Sequence, residues 1–131
     1  ITKNTKNPAS HVRAKHAYDP PSDGDGVRIL IDRLWPRGIK KENLALNQWI
    51  KELAPSTALR QWFGHDPARW QAFHQRYAAE LRPHADLLDT MRALARRGVL
   101  SLVYSAHDEE HNSAVALREF LLSPEALSES A

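Results

Sequence analysis

The chain has 131 residues, of which 42% are hydrophobic and 26% are charged, and this size and composition fit a single soluble domain. Its net charge of +2 is too small to indicate a dedicated nucleic-acid-binding module, so composition supports nucleic acid as a partner only weakly. The absence of cysteine excludes disulfides and thiolate sites, and no apolar run is long enough for a membrane span. We therefore expect a cytoplasmic protein without membrane contact, while the native N-terminus stays open because the chain starts at Ile1.

The first part of the chain predicts an arm and two strands. Residues 1–10 are rich in Lys, Asn and Thr without periodicity, which predicts a flexible N-terminal arm before a single domain over residues 11–131. Residues 12–18 and 27–32 predict the first two strands. The Asp-, Pro- and Gly-rich loop between them is short for a helical crossover, so the two strands are either antiparallel or not adjacent.

Four helices are predicted in the middle of the chain. Residues with helical spacing predict a first, short helix that Pro55 ends: Leu46, Trp49, Ile50 and Leu53. Residues 56–63 predict a second. Asp66 before Pro67 predicts the start of a third, whose apolar stripe is Trp70, Phe73, Tyr77 and Leu81. The fourth spans about residues 84–97 and ends at Gly98.

The end of the chain predicts one more strand and one more helix. Residues 99–104 form an apolar third strand, and Asp108 is predicted to begin the final helix. The helix residues expected to face the core are Ala114, Leu117, Phe120 and Leu121. Strand followed by helix at both ends, with helices dominating, predicts an α/β fold with a small, largely parallel sheet flanked by helices.

Two arginines and a tryptophan follow the second strand directly. Arg33 and Arg37 lie on either side of Trp35 in a loop stiffened by proline, which would hold their guanidinium groups in a fixed relation. Such groups suit phosphate or carboxylate, and Trp35 offers a stacking face for a planar group. The alternative is structural: both arginines pair with Asp32 or Glu52, and Trp35 packs beneath the loop.

A polar segment over residues 105–112 follows the third strand. Asp108 is a candidate for orienting a ligand, and His111 and Asn112 are candidates for contacting it. Because histidine titrates near neutral pH, His111 is the candidate general acid or base if the protein is an enzyme. The interval from His107 to His111 matches that of metalloprotease zinc ligands, but His107 precedes the predicted helix, so no metal site is expected. Ser105 lacks the G-x-S-x-G context of a hydrolase nucleophile.

Several of these motifs resemble the YeaO-like branch of the domain of unknown function 488 (DUF488) family. They are the segments 27–40, 49–56 and 59–63 and the run Asp108-Glu109-Glu110-His111-Asn112, so the resemblance covers roughly residues 12–122. It includes His111 and Asn112, whereas members of this branch usually carry Lys or Arg at the position of His107. Another branch carries cysteine and histidine after its last strand. Since this chain has no cysteine, the resemblance implies no thiol chemistry here.

These features favour a small phosphate-bearing or otherwise anionic ligand, bound in a cleft between the loops after the second and third strands. Arg33 and Arg37 would hold the anion, Trp35 would stack, and His111 and Asn112 would contact polar groups. An enzyme acting on nucleotides is one version of this hypothesis. The alternative is a non-catalytic regulatory module that binds nucleic acid or a protein partner, and a metal-dependent hydrolase is less favoured. The cofactor and the oligomeric state are left open.

Overall fold

A four-stranded, all-parallel sheet forms the centre of the protein, in a computed structural model that describes residues 11–122. The predicted arm at residues 1–10 lies outside that range. The strands are β1 (Val12–His16), β2 (Val27–Leu30), β3 (Gln48–Trp49) and β4 (Leu100–Tyr104), in the order β1-β4-β2-β3. The helices are α1 (Lys41–Leu44), α2 (Thr57–Phe63), α3 (Trp70–Leu81), α4 (Ala85–Arg97) and α5 (Ser113–Leu122). This confirms the predicted α/β fold with a small parallel sheet.

β4 lies between β1 and β2, which answers how the first two strands are arranged. They are parallel and not adjacent, and Leu100 of β4 pairs with Val12 on one side and Val27 on the other. Gly26 immediately precedes β2 and allows the backbone to pass close to β4 at this point. Its φ is 62°, and a Cβ at this position would lie 2.2 Å from the carbonyl oxygen of Val99, so only glycine fits beside β4 here.

The sheet separates two apolar cores of unequal size. The larger core packs helices α2 to α5 against one face, and residues at its centre are Ile29, Leu53, Tyr77, Met91, Leu102 and Leu117. The smaller core covers the other face around Leu30, Leu44 and Val103, with Trp35 and Trp49 packed against it. Within residues 11–122 no helix is long and apolar enough to cross a membrane.

The helix predicted over residues 46–53 is wrong. Gln48 and Trp49 form β3 instead, paired in parallel with Ile29 and Leu30, and Lys51–Leu53 is a single 3-10 turn. The sheet edge explains the difference, because the four apolar residues do not share one face. Leu46 and Trp49 pack on the smaller core, whereas Ile50 and Leu53 belong to the larger one.

The other predicted helices are confirmed with shifted boundaries. Asp66 caps a 3-10 turn at Pro67–Arg69 that leads into α3, on which Phe73 and Tyr77 are buried and Trp70 is half-buried. A second 3-10 turn, Arg82–His84, joins α3 to α4. The final helix begins at Ser113, five residues later than expected, and all four of its predicted core residues are buried: Ala114, Leu117, Phe120 and Leu121.

Candidate functional site

The register of β2 and β4 brings Asp32 and Ser105 together beyond the carboxyl ends of the two strands. Leu30 pairs with Val103, so two residues further along each chain Asp32 lies opposite Ser105. The Asp32 Oδ2 atom accepts a 2.9 Å hydrogen bond from the Ser105 N–H and a 2.7 Å bond from its hydroxyl. Burial raises the pKa of Asp32 above its ordinary value, although the bonds from Ser105 and the charge of Arg60 partly oppose this.

These two residues lie in a cleft of about 400 Å³ at the edge of the sheet where the carboxyl ends of β1, β2 and β4 meet. Parallel α/β sheets characteristically place binding sites at this edge. Its basic lining residues come from four separate segments: Arg33, Arg37, Arg60, His65, His107 and His111. Among residues 11–122, Asp32 is the one carboxylate in the lining. Both loops of the predicted site therefore border one cleft.

Arg33 is held by the protein backbone rather than by an acid. Its Nε donates to the Pro55 carbonyl oxygen at 3.2 Å, and its Nη2 donates to the Ala54 carbonyl oxygen at 3.3 Å. Within residues 11–122, Arg33 forms no ion pair with Asp32 or Glu52, which the structural alternative would require. Arg33 thus joins the loop after β2 to the turn before α2.

Arg37 is exposed, and no ion pair involves its guanidinium group in the described part of the chain. Its backbone carbonyl accepts a 2.8 Å hydrogen bond from the Tyr18 hydroxyl. This bond fixes the loop after β2 to the segment after β1. The side chain is consequently presented to solvent from a loop whose backbone is anchored.

Trp35 packs beneath the loop after β2, as the structural alternative expects, and it also borders the cleft. It is half-buried against the smaller core, its ring meets Trp49 edge-on at 5.5 Å, and its Nε1 donates to the Ile39 carbonyl oxygen at 2.7 Å. The same side chain belongs to the lining of the cleft. Its orientation is therefore set by the core rather than by a ligand.

Asp108 organises the loop after β4, but it does not begin the final helix. Its Oδ1 accepts from the N–H groups of Glu110 and His111, and its Oδ2 lies 3.0 Å from His111 Nδ1. The bond from the Glu110 N–H is the main cause of its lowered pKa. Asn112 caps α5 instead, because its Oδ1 accepts from the Val115 N–H at 2.9 Å.

His111 is positioned from two sides, by the Asp108 carboxylate and by the ring of Trp70, which it meets edge-on at 5.3 Å. It lines the cleft together with Asn112, whereas Asp108 is not part of the lining. Asn112 is buried and donates from its Nδ2 to the Asp108 carbonyl oxygen at 2.9 Å. His111 is thus presented to the cleft, and Asn112 stabilises the segment that presents it.

The described residues do not provide the geometry for a metal site at His107 and His111 or for a serine nucleophile at Ser105. No group of three or more His, Asp or Glu side chains able to hold a metal ion occurs among residues 11–122, so His107 and His111 do not form one there. Ser105 donates its hydroxyl hydrogen to Asp32 rather than to a histidine. Within residues 11–122, Ser105 is therefore not arranged as a histidine-activated nucleophile.

Sequence reasoning missed Asp32 and Arg60 as members of the cleft. The sequence pattern indicates Asp32 only as an ion-pair partner for arginine, although its position two residues beyond β2 is a usable signal. Arg60 lies on α2, within the segment 59–63 that resembles the family, and it reaches the cleft from there. The resemblance assigns no role to Arg60, and its proximity to Asp32 depends on how α2 packs.

A second depression of about 550 Å³ lies against β3, on the far side of Trp35. Its charged lining residues are Lys41 and Glu42, which have opposite signs. It therefore lacks the excess of basic side chains found in the cleft near Asp32, and we take the latter as the candidate site.

Comparison with known proteins places the chain in a family. A family model described as the inactive DUF488-N3 subclade matches residues 11–131. The chain is 42% identical over 113 residues to the uncharacterized protein YeaO of Escherichia coli K12, which covers 86% of this chain and 98% of that protein. It is 36% identical over 112 residues to the uncharacterized protein Rv3073c of Mycobacterium tuberculosis H37Rv, and this match covers 86% of this chain and 94% of that protein. No solved structure matches. The chain therefore belongs to the DUF488 family, in its inactive N3 subclade, and is YeaO-like.

Proposed function

We propose that the cleft binds a small phosphate-bearing or other anionic ligand and that the protein acts by binding rather than by chemistry. One observation carries the proposal: among the described residues, three arginines and three histidines line the cleft against a single carboxylate. None of the three arginines forms an ion pair in residues 11–122. The arginines of this lining therefore outnumber its carboxylate three to one.

A concave surface with charges of one sign focuses the electrostatic field and raises the local concentration of the opposite ion. Guanidinium groups also form short, charge-assisted and frequently bidentate hydrogen bonds to phosphate and carboxylate. Arg37 is exposed and Arg60 is exposed on α2, so both are accessible to a ligand. Arg33 already donates to two carbonyl oxygens and contributes mainly its charge.

The family description favours binding over catalysis, since it calls this subclade inactive. An enzyme acting on nucleotides would use His111 as the acid or base. In the binding version His111 is a hydrogen-bonding contact whose orientation Asp108 and Trp70 fix in advance. Incubation with nucleotides followed by chromatography separates the two versions, and we expect the nucleotides to be recovered unchanged.

Isothermal titration with inorganic phosphate tests the proposal, using the Arg60→Ala variant as the informative change. Loss of a charge-assisted contact costs about 1.5 to 3 kcal/mol, so we expect affinity to fall roughly tenfold or more. Arg96→Ala is the matched control. Arg96 is exposed near the end of α4, which leads into the amino end of β4, at the opposite edge of the sheet.

Equal phosphate binding by the parent and the Arg60→Ala variant would contradict the proposal, as would no binding at all. The nucleic-acid alternative has its own signature. A protein that contacts many phosphates loses affinity for an oligonucleotide steeply with added salt, whereas a ligand enclosed in a cleft is much less sensitive.

A further inference from the structure

The cleft has an apolar entrance beside its positive charges. Tyr18 and Leu34 are the large hydrophobic side chains most exposed among the described residues, at 50% and 61%, and both line this cleft. The Tyr18 hydroxyl donates to the Arg37 carbonyl oxygen at 2.8 Å, which holds the ring next to the arginine loop. Exposed apolar groups gathered at one concave site mark a place where a ligand covers them.

The volume of the cleft exceeds what a simple anion fills. At about 400 Å³ it falls within the range of about 300 to 1,000 Å³ that is usual for pockets binding small organic molecules. Pro55, Phe63 and Phe73 contribute further apolar lining. A ligand that fills this cleft would need an organic body in addition to an anionic group.

Asp32 adds an acceptor to this otherwise positive surface. Its Oδ2 is occupied by the N–H and the hydroxyl of Ser105, while none of the described residues donates to its Oδ1. A carboxylate oxygen left without a donor in a half-buried position gains most from a ligand that supplies one. Sugar hydroxyl groups are donors of this kind.

The proposed anion binding is the basis for a more specific assignment. We propose that the ligand is a ribonucleoside monophosphate, with its base against Tyr18 and Leu34 and a ribose hydroxyl donating to Asp32 Oδ1. Its phosphate interacts with Arg37 and Arg60, the two exposed arginines that line the cleft. The three parts of a nucleotide thus match the three kinds of surface in the cleft: apolar, acceptor and cationic.

Competition titrations with the parent protein test each part separately. The probes are the four ribonucleoside monophosphates, their dideoxy counterparts, ribose phosphate and inorganic phosphate. We expect at least one ribonucleotide to bind roughly tenfold or more tightly than its dideoxy counterpart and than ribose phosphate, since each comparison removes one contact type. Comparable affinity for all probes would overturn the assignment and leave anion binding intact. No binding of any probe would overturn both proposals.

Asp32→Asn identifies the residue responsible. The Ser105 N–H needs an acceptor, so the asparagine amide turns its oxygen towards Ser105 and its NH₂ group towards the cleft. A ribose hydroxyl can then only accept from this neutral amide, and its stronger bond to a carboxylate oxygen is lost. We expect the preference for ribonucleotides over dideoxynucleotides to weaken severalfold while phosphate affinity does not fall. Asp66→Asn, at an exposed capping position, is the matched control. An unchanged preference in a folded Asp32→Asn variant would contradict the assignment.

Tyr18 is tested by a pair of substitutions. Tyr18→Phe keeps the ring and removes the bond to the Arg37 carbonyl oxygen, whereas Tyr18→Ala removes both. Loss of nucleotide affinity in Tyr18→Ala alone, with phosphate affinity kept, supports contact with the base. Equal losses in both variants would mean that Tyr18 acts only by holding the Arg37 loop, which would overturn its assigned role.

Discussion

The three arginines of the cleft are held in different ways, and this decides what each substitution changes. Arg33 donates to two backbone carbonyl oxygens of the turn before α2. Arg37 is attached to the rest of the described chain by its backbone carbonyl oxygen, which accepts a hydrogen bond from the Tyr18 hydroxyl. Arg33 therefore serves structure and charge together, whereas the guanidinium group of Arg37 is available for a ligand.

Arg37→Ala should leave the melting temperature nearly unchanged and weaken anion binding by about 1.5 to 3 kcal/mol, because one charge-assisted contact is lost. Arg33→Ala should lower stability by roughly 1 to 3 kcal/mol, since the Ala54 and Pro55 carbonyl oxygens lose their donor. Thermal unfolding and titration with phosphate, on both variants, check the contrast. If Arg37→Ala unfolds much earlier than the parent protein, Arg37 is structural and the ligand role fails.

At the residue scale the sequence indicated part of the site. Strand ends followed by Arg33, Arg37 and His111 were visible in the pattern, and the structure places all three on one cleft. The partnership of Asp32 with Ser105 was not visible, because it depends on the pairing of β2 with β4 across 73 residues of chain. A register is fixed by packing of the whole sheet, which no local pattern encodes.

At the element scale, the error over residues 46–53 has a clear physical origin. Helical spacing of apolar residues predicts a helix only if one core lies on one side. Here Asn47 pairs with the backbone of Arg28 through its own N–H and its side-chain oxygen, both at 2.8 Å, and this draws the segment onto the sheet edge. The longer stripes of α3 and α4 face one core, and their prediction was confirmed.

Asn112→Ala tests where α5 begins. Loss of the cap leaves the Val115 N–H without its acceptor, so we expect a loss of about 1 to 2 kcal/mol in the free energy of unfolding. Asp108→Ala is the comparison, because it removes the acceptor of the Glu110 and His111 N–H groups and the contact with the His111 ring but leaves the cap in place. These groups lie in a partly exposed loop where water can replace the carboxylate, so the cost of Asp108→Ala should be smaller. Urea unfolding gives both values. A larger loss for Asp108→Ala than for Asn112→Ala would contradict the assignment of Asn112 as the cap.

On the scale of the whole molecule, two aspartates near opposite ends of β2 have opposite effects on stability. Asp25 is buried just before β2, where its carboxylate contacts Arg28 at 2.6 Å and Lys15 at 3.1 Å. Asp32, beyond the other end, has its pKa raised by burial. The structural aspartate thus has two cationic partners within the chain, whereas the described residues donate to only one oxygen of the aspartate in the cleft, and a perturbed pKa in a cleft is characteristic of functional sites.

The pH dependence of stability follows from these two shifts with opposite signs. Burial raises the pKa of Asp25, but the Ser22 N–H, Lys15, the Ser22 hydroxyl and Arg28 outweigh it and lower the pKa from 3.8 to about 2. This carboxylate therefore stabilises the fold above about pH 4, and its contribution of about 2 kcal/mol is lost as the pH falls towards 2. For Asp32 the raised pKa means that the ionised form costs stability, and that cost disappears as the pH falls through the pKa of the folded state.

Asp25→Asn should accordingly lower stability at neutral pH by roughly 2 to 5 kcal/mol and flatten its decline between about pH 4 and 2, because the buried Arg28 loses its counter-charge. The double variant Asp25→Asn, Arg28→Met should be less destabilised than expected from adding the two single losses, since no buried charge of this pair is left unpaired.

Asp32→Asn, in contrast, should be neutral or stabilising at neutral pH, because the cost of an ionised carboxylate is removed. Urea unfolding of these variants across the pH range measures all three effects. A larger loss of stability in Asp32→Asn than in Asp25→Asn would reverse the roles assigned to the two ends of β2, with Asp32 then a structural residue rather than part of a binding site.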